Sequence, residues 1–320
     1  MTTLTRRAAL GGLLSLAAPI ASRAEGDWPR RPIRMVSPFP GGVQADVTTR
    51  LFAEGLSRRL GQPVVVENRP GGEGVVATSA FLAIPDDHRL FFSFAGPVTL
   101  NPLTIERLPY DPAHLLPIST AALDGIGIAA AADLPASDLR EAVALARARP
   151  GALTWASAPG AIGLAFDAFL DAQRLDLVRA SYPSGVPAMN DVAAGRVQIA
   201  VMPLGTILPH LEARRAKLLA VTNPRRVAVL PDIATTTEQG FADYVFQGFV
   251  GIFGPPDMPP ARRAALSALI QEIAADPALA ARLRTGGQEA RGSTPEAFAA
   301  LIAAQRVQVE AGLAARARRG

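Results

Sequence analysis

Three strand-to-helix junctions rich in glycine, serine and proline are the parts of this sequence best suited to hold a ligand. Ser37-Pro38-Phe39-Pro40-Gly41-Gly42 follows a β-forming run and leads through Val43, Gln44 and Ala45 into a helix beginning near Asp46. Ser157-Ala158-Pro159-Gly160 leads into a helix starting near Ile162, and Tyr182-Pro183-Ser184-Gly185 into one beginning at Ala188. The first turn of a helix leaves backbone N–H groups without intrahelical partners, and the helix dipole adds partial positive charge there. Glycine lets an anion approach the backbone closely, and hydroxyl groups add donors. Several such ends converging on one cleft would hold a carboxylate without any lysine or arginine. Taken singly, each junction is also ordinary turn chemistry, and Asp46 suits the N-cap of the first helix better than a ligand contact.

Catalytic motifs are missing. No serine occupies a G-x-S-x-G elbow, since Ser157 lacks both glycines. His88, His114 and His210 have no metal-ligand spacing, so no metal site is expected. Lys217 is the only lysine and has no glycine-rich approach, while Gly125 and Gly127 are followed by Ala130 where a dinucleotide fingerprint needs glycine. The chain has no cysteine, which excludes a disulfide scaffold, a thiol nucleophile and a thiolate-bound metal. Asp86-Asp87 lies in a proline-flanked turn and reads as a solvated loop. The sequence is therefore read as a non-enzyme without cofactors. The alternative is an exported hydrolase whose catalytic set is dispersed along the chain.

The net charge of +4 invites a nucleic-acid reading that its distribution does not support. The first 24 residues hold three arginines and no acid, which leaves 29 basic against 28 acidic residues in the remainder. No basic stripe interleaved with aromatics remains, so no nucleic-acid partner is expected. Arg6 and Arg7, the uncharged stretch Ala8 to Ala21, and Ser22-Arg23-Ala24 form an export signal with cleavage expected before Glu25. The arginine pair also has the look of a twin-arginine signal, and ordinary secretory export fits equally. The mature protein is expected in the periplasm. At 320 residues and 49% hydrophobic content, two domains with sizeable cores are expected.

The elements that must position the junctions follow from periodicity. Apolar runs at Ile33 to Ser37, Val64 to Glu67, Leu90 to Phe94, Leu153 to Ala156, Ile199 to Met202 and Leu218 to Thr222 alternate with helical patterns. Such continuous runs indicate an α/β fold with a parallel sheet covered on both faces. In the first helix Phe52, Leu56 and Leu60 share a face, and Gly61 suits its C-terminus. Later, Phe249 to Phe253 reads as a strand, Pro259-Pro260 opens a helix reaching Ala274, a shorter helix follows Pro277, and Ser293 or Thr294 caps a last one.

Beyond these patterns, particular segments occur in a particular order. They include Arg31-Pro32-Ile33-Arg34, Pro38-Phe39-Pro40, Leu60-Gly61-Gln62-Pro63 continuing to Glu67-Asn68-Arg69-Pro70-Gly71, and Asn101-Pro102. Leu108-Pro109-Tyr110-Asp111-Pro112, Ala148-Arg149-Pro150-Gly151, Pro187-Ala188, Leu219-Ala220-Val221-Thr222, Leu230-Pro231-Asp232 and Thr294-Pro295-Glu296 follow. In order and spacing the chain resembles the Bug-type extracytoplasmic solute receptors, the substrate-binding components of tripartite tricarboxylate transporters.

The resemblance implies a two-domain periplasmic binding protein fold, type II-like, with the ligand between the domains. It implies a first domain from residues 25–124 plus 231–320 and a second from 125–230, after a signal at 1–24. It also implies a monomer that captures a small organic carboxylate and passes it to the membrane components of a transporter; an orphan receptor serving signalling is the variant reading. The implied ligand contacts are Ser37, Phe39, Pro40, Gly41, Gly42, Val43, Gln44 and Asp46, then Ser157, Ala158 and Gly160, then Tyr182, Ser184, Gly185 and Met202. The chain departs from the family pattern at Pro183, where a lysine is common, and at Arg214, where a glycine is common.

Overall fold

The computed structural model describes residues 28–158 and 160–319. The expected signal and Pro159 lie outside the described residues. The chain first forms β1 (Ile33–Ser37), α1 (Gln44–Leu60), β2 (Val64–Asn68), α2 (Val75–Leu82) and β3 (Arg89–Phe94). Two short helical turns, α3 (Gly96–Thr99) and α4 (Asn101–Thr104), precede β4 (Leu116–Asp124). Next come β5 (Ile126–Ala131), α5 (Leu139–Ala148), β6 (Thr154–Ser157), α6 (Ala161–Ala172), β7 (Val178–Arg179), α7 (Gly185–Ala193), β8 (Ile199–Pro203), α8 (Leu204–Glu212) and β9 (Ala216–Val221). The last part comprises β10 (Gly248–Gly254), α9 (Pro260–Ala274), α10 (Pro277–Thr285), β11 (Gln288–Ala290) and α11 (Pro295–Arg319).

These strands form two sheets, a larger one in the order β11-β4-β10-β3-β1-β2 and a smaller one in the order β7-β6-β8-β5-β9. The α/β class holds, but neither sheet is purely parallel. β10 runs antiparallel between β3 and β4, and β5 runs antiparallel to both β8 and β9. The expectation of a parallel sheet overlooked β4 and β5. Their alanine-, serine- and threonine-rich sequences carry little of the β-branched signal that marks a strand.

Each sheet is covered on both faces. Ile33, Phe52, Phe92, Ile252 and Ile270 pack on one side of the larger sheet, and Phe81, Phe91, Phe253 and Phe298 on the other. Trp155, Phe166, Phe169 and Ile199 fill one side of the smaller sheet, and Met189, Met202 and Ile207 the other. Burial of each such side chain contributes about 1.5–3 kcal/mol. Local signals end the helices as expected: Gly61 (φ 66°) closes α1 with an N–H bond to the Ser57 carbonyl. The Thr294 hydroxyl caps α11 by accepting from the Ala297 N–H at 3.2 Å.

The chain passes from the larger sheet to the smaller through Gly125 alone. A Cβ there would sit 2.6 Å from both the Gly287 carbonyl oxygen and Leu204 Cδ1, so only glycine fits. Asn223 clamps this passage, its Oδ1 accepting from the Ile126 N–H at 2.9 Å and its Nδ2 donating to the Asp124 carbonyl at 2.9 Å. The return was expected at residue 231. Instead Phe241, Tyr244 and Phe246 pack into the smaller sheet's core beside Phe166 and Phe169, and the chain rejoins the larger sheet at Gly248. Aromatic burial against α6 outweighs the change of sequence character near 231. α11 then spans both bodies. Phe298 packs on Phe253 beneath the larger sheet, while Gly312 lies so close to α6 that a Cβ would stand 2.7 Å from the Leu164 carbonyl oxygen.

Asp124, at the end of β4, is partly buried beside the passage and accepts a hydrogen bond from Gln288 Nε2 at 2.7 Å. Burial pushes its carboxyl up from an ordinary value near 3.8 to about 6, only partly opposed by the Gln288 bond. Because the folded value lies above the unfolded one, the stability this group contributes is complete below about pH 3.8 and is lost as pH rises through about 6. Asp124→Asn is therefore expected to match the wild type near pH 4 and to exceed it at pH 8 by up to about 3 kcal/mol. Urea denaturation of both proteins at the two pH values measures the difference; an equal offset at both would refute the assignment.

Candidate ligand-binding site

The first junction is built around Asp46, though not as expected. α1 begins at Gln44 with Val43 (φ −75°, ψ 160°) as its N-cap, and Val43 offers no side-chain cap. Asp46 is the third helical residue and reaches back past the N-cap to accept from the Gly42 N–H at 2.9 Å. It also accepts from Arg50 Nε at 3.0 Å and from Asn68 Nδ2 at 2.8 Å. Burial raises its pKa, but the bonds from Gly42, Arg50 and Asn68 outweigh burial and hold the carboxyl below its usual range. Asp46 is thus neither the N-cap nor open to a ligand; it is the anchor of the glycine turn. Ser37 is fully buried and its Oγ accepts from the Phe39 N–H, while the Phe39 ring packs on Phe92 and Phe94. Above these supports, Pro40, Gly41, Gly42 and Val43 are exposed. A Cβ at Gly41 or Gly42 would touch nothing, and Gly42 adopts φ +86°, so this turn presents bare backbone.

The other junctions lie at the carboxyl ends of strands in the smaller sheet, where α/β proteins place ligands. Ser157 ends β6, and Gly160 (φ 97°) is the N-cap of α6. α7 begins at Gly185, three residues before the expected Ala188, because Pro187 is tolerated in a first turn where N–H groups are unpaired anyway. Ser184 is its N-cap, but the hydroxyl makes no capping bond and is exposed. The Tyr182 hydroxyl donates to Asp191 at 2.5 Å, and the side chain packs against the cluster of Met189 and Met202. Gly185 packs between elements: a Cβ there would meet Met202 Sδ at 3.1 Å, Thr206 at 3.5 Å and Ala158 at 3.9 Å.

Ser157, Gly160 and Tyr182 line one cavity of about 300 Å³, whose opposite wall is Glu73, Leu100 and Thr104 from the larger-sheet body and Leu313 and Arg316 from α11. The two bodies therefore face each other across this space. Gln44 does not line it. Its stem packs against Gly205 at the start of α8, and its Nε2 donates to Gln288 Oε1 at 3.3 Å, so it ties the bodies together beside the cavity. Ser37, Phe39 and Asp46 support the first junction from beneath.

The sequence reading missed the cavity's charged residues. Glu73 has φ 54°, a left-handed conformation that costs a non-glycine residue roughly 1–2 kcal/mol. Its Oε2 lies 3.6 Å from where a Gly160 Cβ would be, and burial raises its carboxyl pKa. Arg179 lies 5.0 Å above the Trp155 ring and pairs with Asp167 at 2.8 Å. An acid among the glycines of Gly71-Gly72-Glu73-Gly74 was the available signal. A larger cavity of about 520 Å³ lies at the passage between the sheets, but no junction reaches it, and its Arg226 and Arg291 pair with Glu238 and Glu289. Asp86, Asp87 and His88 cluster elsewhere, with Asp86 bound to Arg31 and Asp87 to His88 and Arg262.

Comparison with known proteins matches the same architecture. The sequence pattern of the tripartite tricarboxylate transporter family receptor matches residues 48–314. The chain belongs to this family. It is 35% identical over 305 residues to a UPF0065 protein of Bordetella bronchiseptica, covering 92% of this chain and 88% of that one. Among solved structures, R. palustris Rpa4515 with adipate is similar with a TM-score of 0.82 and 26% identity, over 90% of this chain and 98% of that one. Periplasmic binding protein BugD is similar with a TM-score of 0.75 and 28% identity, over 89% and 97%. The resemblance read from the sequence is thus borne out at the level of family and fold.

In this receptor the glycine turn depends on Asp46. Asp46→Ala is expected to lower stability at neutral pH by about 2–3 kcal/mol, because it leaves the Gly42 N–H and two side-chain donors without their charged acceptor. Chemical denaturation measures it; a loss below about 0.5 kcal/mol would show that the turn holds without the anchor.

Proposed function

We propose that this receptor captures a small organic carboxylate in the periplasm and delivers it to the membrane components of a tripartite transporter. The observation that carries this reading is the cavity of about 300 Å³ that joins Ser157, Gly160 and Tyr182 to a wall from the other body. Its size suits a small acid, at the lower end of ligand cavities. Rpa4515, the neighbour in complex with adipate, supports a carboxylate as the ligand class. Two domains are proposed, one carrying the larger sheet (residues 28–124 and 248–319) and one carrying the smaller (126–247), acting as a monomer that hinges at Gly125 and Gly248. The periplasmic location rests on the family and on the N-terminal sequence.

A hydrolase is the less supported reading. Among the described residues no serine hydroxyl is hydrogen-bonded to a histidine: His88 pairs with Asp87, His114 lies near Asp111, and the His210 Nδ1 is buried without a partner.

The Gly41 backbone N–H and the Ser184 hydroxyl are the proposed anion donors, the latter free because it does not cap its own helix. A hydrogen bond to a charged group contributes about 1.5–3 kcal/mol, so Ser184→Ala is expected to weaken carboxylate binding about tenfold. Gly41→Val is expected to weaken it more, since a Cβ at Gly41 disturbs no protein atom and fills only the space above the turn. Arg58→Ala, on the exposed face of α1, should change nothing. Calorimetric titration with linear dicarboxylates measures all three; unchanged affinity in both junction variants would place the site elsewhere.

A further inference from the structure

The wall of the cavity is also an apolar contact between the bodies. Leu100, Leu164 and Val309 are buried in one cluster, with Leu103, Ala161 and Leu313 packed against it. Leu100 and Leu103 belong to the α3–α4 turns of the larger-sheet body, and Ala161 and Leu164 to the start of α6 in the smaller. Val309 and Leu313 belong to α11. Leu100 reaches the Gly160 junction itself, since its Cδ2 lies 3.9 Å from where a Gly160 Cβ would be.

The three parts of this cluster are held differently. α6 and α11 fit closely, through Gly312 against Leu164 and an ion pair of Arg318 with Asp171 at 2.8 Å. Further back, Gln305 Nε2 donates to the Gln247 carbonyl at 3.4 Å and Gln308 Nε2 to the Val245 carbonyl at 3.1 Å. The middle of α11 therefore runs beside the return of the chain at Gly248. The α3–α4 turns are braced from their own body. Asn101 Nδ2 donates to the Glu73 carbonyl at 3.0 Å and to the Tyr110 hydroxyl at 3.1 Å, and that hydroxyl donates to the Pro97 carbonyl at 3.0 Å. A stiff apolar knob thus sits on a stiff pair of helices. Parting them would return that surface to water, which the hydrophobic effect opposes.

We propose that Leu100 and Leu103 are a latch, an apolar knob that docks on α6 and α11 when the bodies close and parts from them when they open. The bodies turn about Gly125 and Gly248, with the middle of α11 beside the axis. The closely packed α6–α11 pair moves as one, and the knob is the contact that separates. Leu103 does not line the cavity, so it acts on closure alone. A ligand's apparent affinity scales with the fraction of receptor in the binding-competent form. The latch therefore raises affinity for every ligand alike, without reading its chemistry. This rests on the reading of the protein as a carboxylate receptor that closes over its ligand, and adds what sets the balance between the open and closed forms.

The test compares the wild type with Leu103→Gln and with the conservative Leu103→Met. In calorimetric titrations with adipate and with glutarate, Leu103→Gln is expected to weaken both by the same factor, about tenfold. Leu103→Met should stay within about twofold of the wild type. Small-angle X-ray scattering of the ligand-free proteins should give Leu103→Gln a larger radius of gyration than the wild type. Circular dichroism melting checks that the variants fold; Leu103→Ala carries the same expectations should the glutamine variant not fold. Unchanged affinity, a loss that differs between the two acids, or ligand-free radii equal to the wild type's overturns the latch and leaves the carboxylate receptor intact. A wild type that binds neither acid overturns the carboxylate reading, and the ligand-free radii alone then decide the latch.

Discussion

Between β4 and β5 the polypeptide moves from one sheet to the other with a single residue in between, and the placement of every junction depends on how that step is held. Gly125 donates its N–H to the Gly287 carbonyl at 2.9 Å and accepts from the Leu204 N–H at 2.8 Å, so its own backbone is bonded to both bodies. Asn223 bonds the residues on either side of it. Buried backbone polar groups must be paired, and here the pairing is supplied by segments from three distant parts of the chain. Turning about this passage is the motion we propose for the two bodies.

The same region is wired to the first junction. Gln288 donates to Asp124 at 2.7 Å while its Oε1 accepts from Thr48 at 2.5 Å and Gln44 at 3.3 Å, which links the passage to the first turn of α1. Asp46, in the same turn of that helix, fixes the glycine turn itself. The exposed backbone of Gly41 and Gly42 is therefore carried by a buried polar network rather than by loop contacts of its own. Such a network, once fully paired, rigidifies what it touches. On the other side, α11 crosses from the larger-sheet core to α6 and brings Arg316 to the cavity, so the C-terminal helix belongs to the wall of the site as well as to the fold.

Much of this was legible in the sequence because apolar runs and helix signals are local. The strands β1 and β6 that bear the first two junctions, the Gly61 stop and the Thr294 cap came from residues adjacent in the chain, whereas the two-residue β7 before the third junction carried no such signal. Arg214, standing where a glycine is common, indeed holds φ 55°. Other features were hidden because their causes are not local. β4 and β5 look like small-residue coil until pairing with β10, β8 and β9 makes them strands. The return at Gly248 instead of 231 depends on Tyr244 and Phe246 finding Phe166 and Phe169 across the fold. Asp46 reads as a cap until the helix is seen to start at Gln44. Glu73 and Arg316 carry no motif at all; only the approach of two segments far apart in sequence gives them a shared cavity.

The account holds that two bodies close over a ligand by turning about the Gly125 passage. Small-angle X-ray scattering of the receptor with and without a saturating concentration of adipate tests that claim most directly. Closure predicts a smaller radius of gyration and a shorter maximum dimension for the bound form, with no change in mass. A bound form whose scattering profile superimposes on that of the free protein would contradict it and describe a rigid site instead.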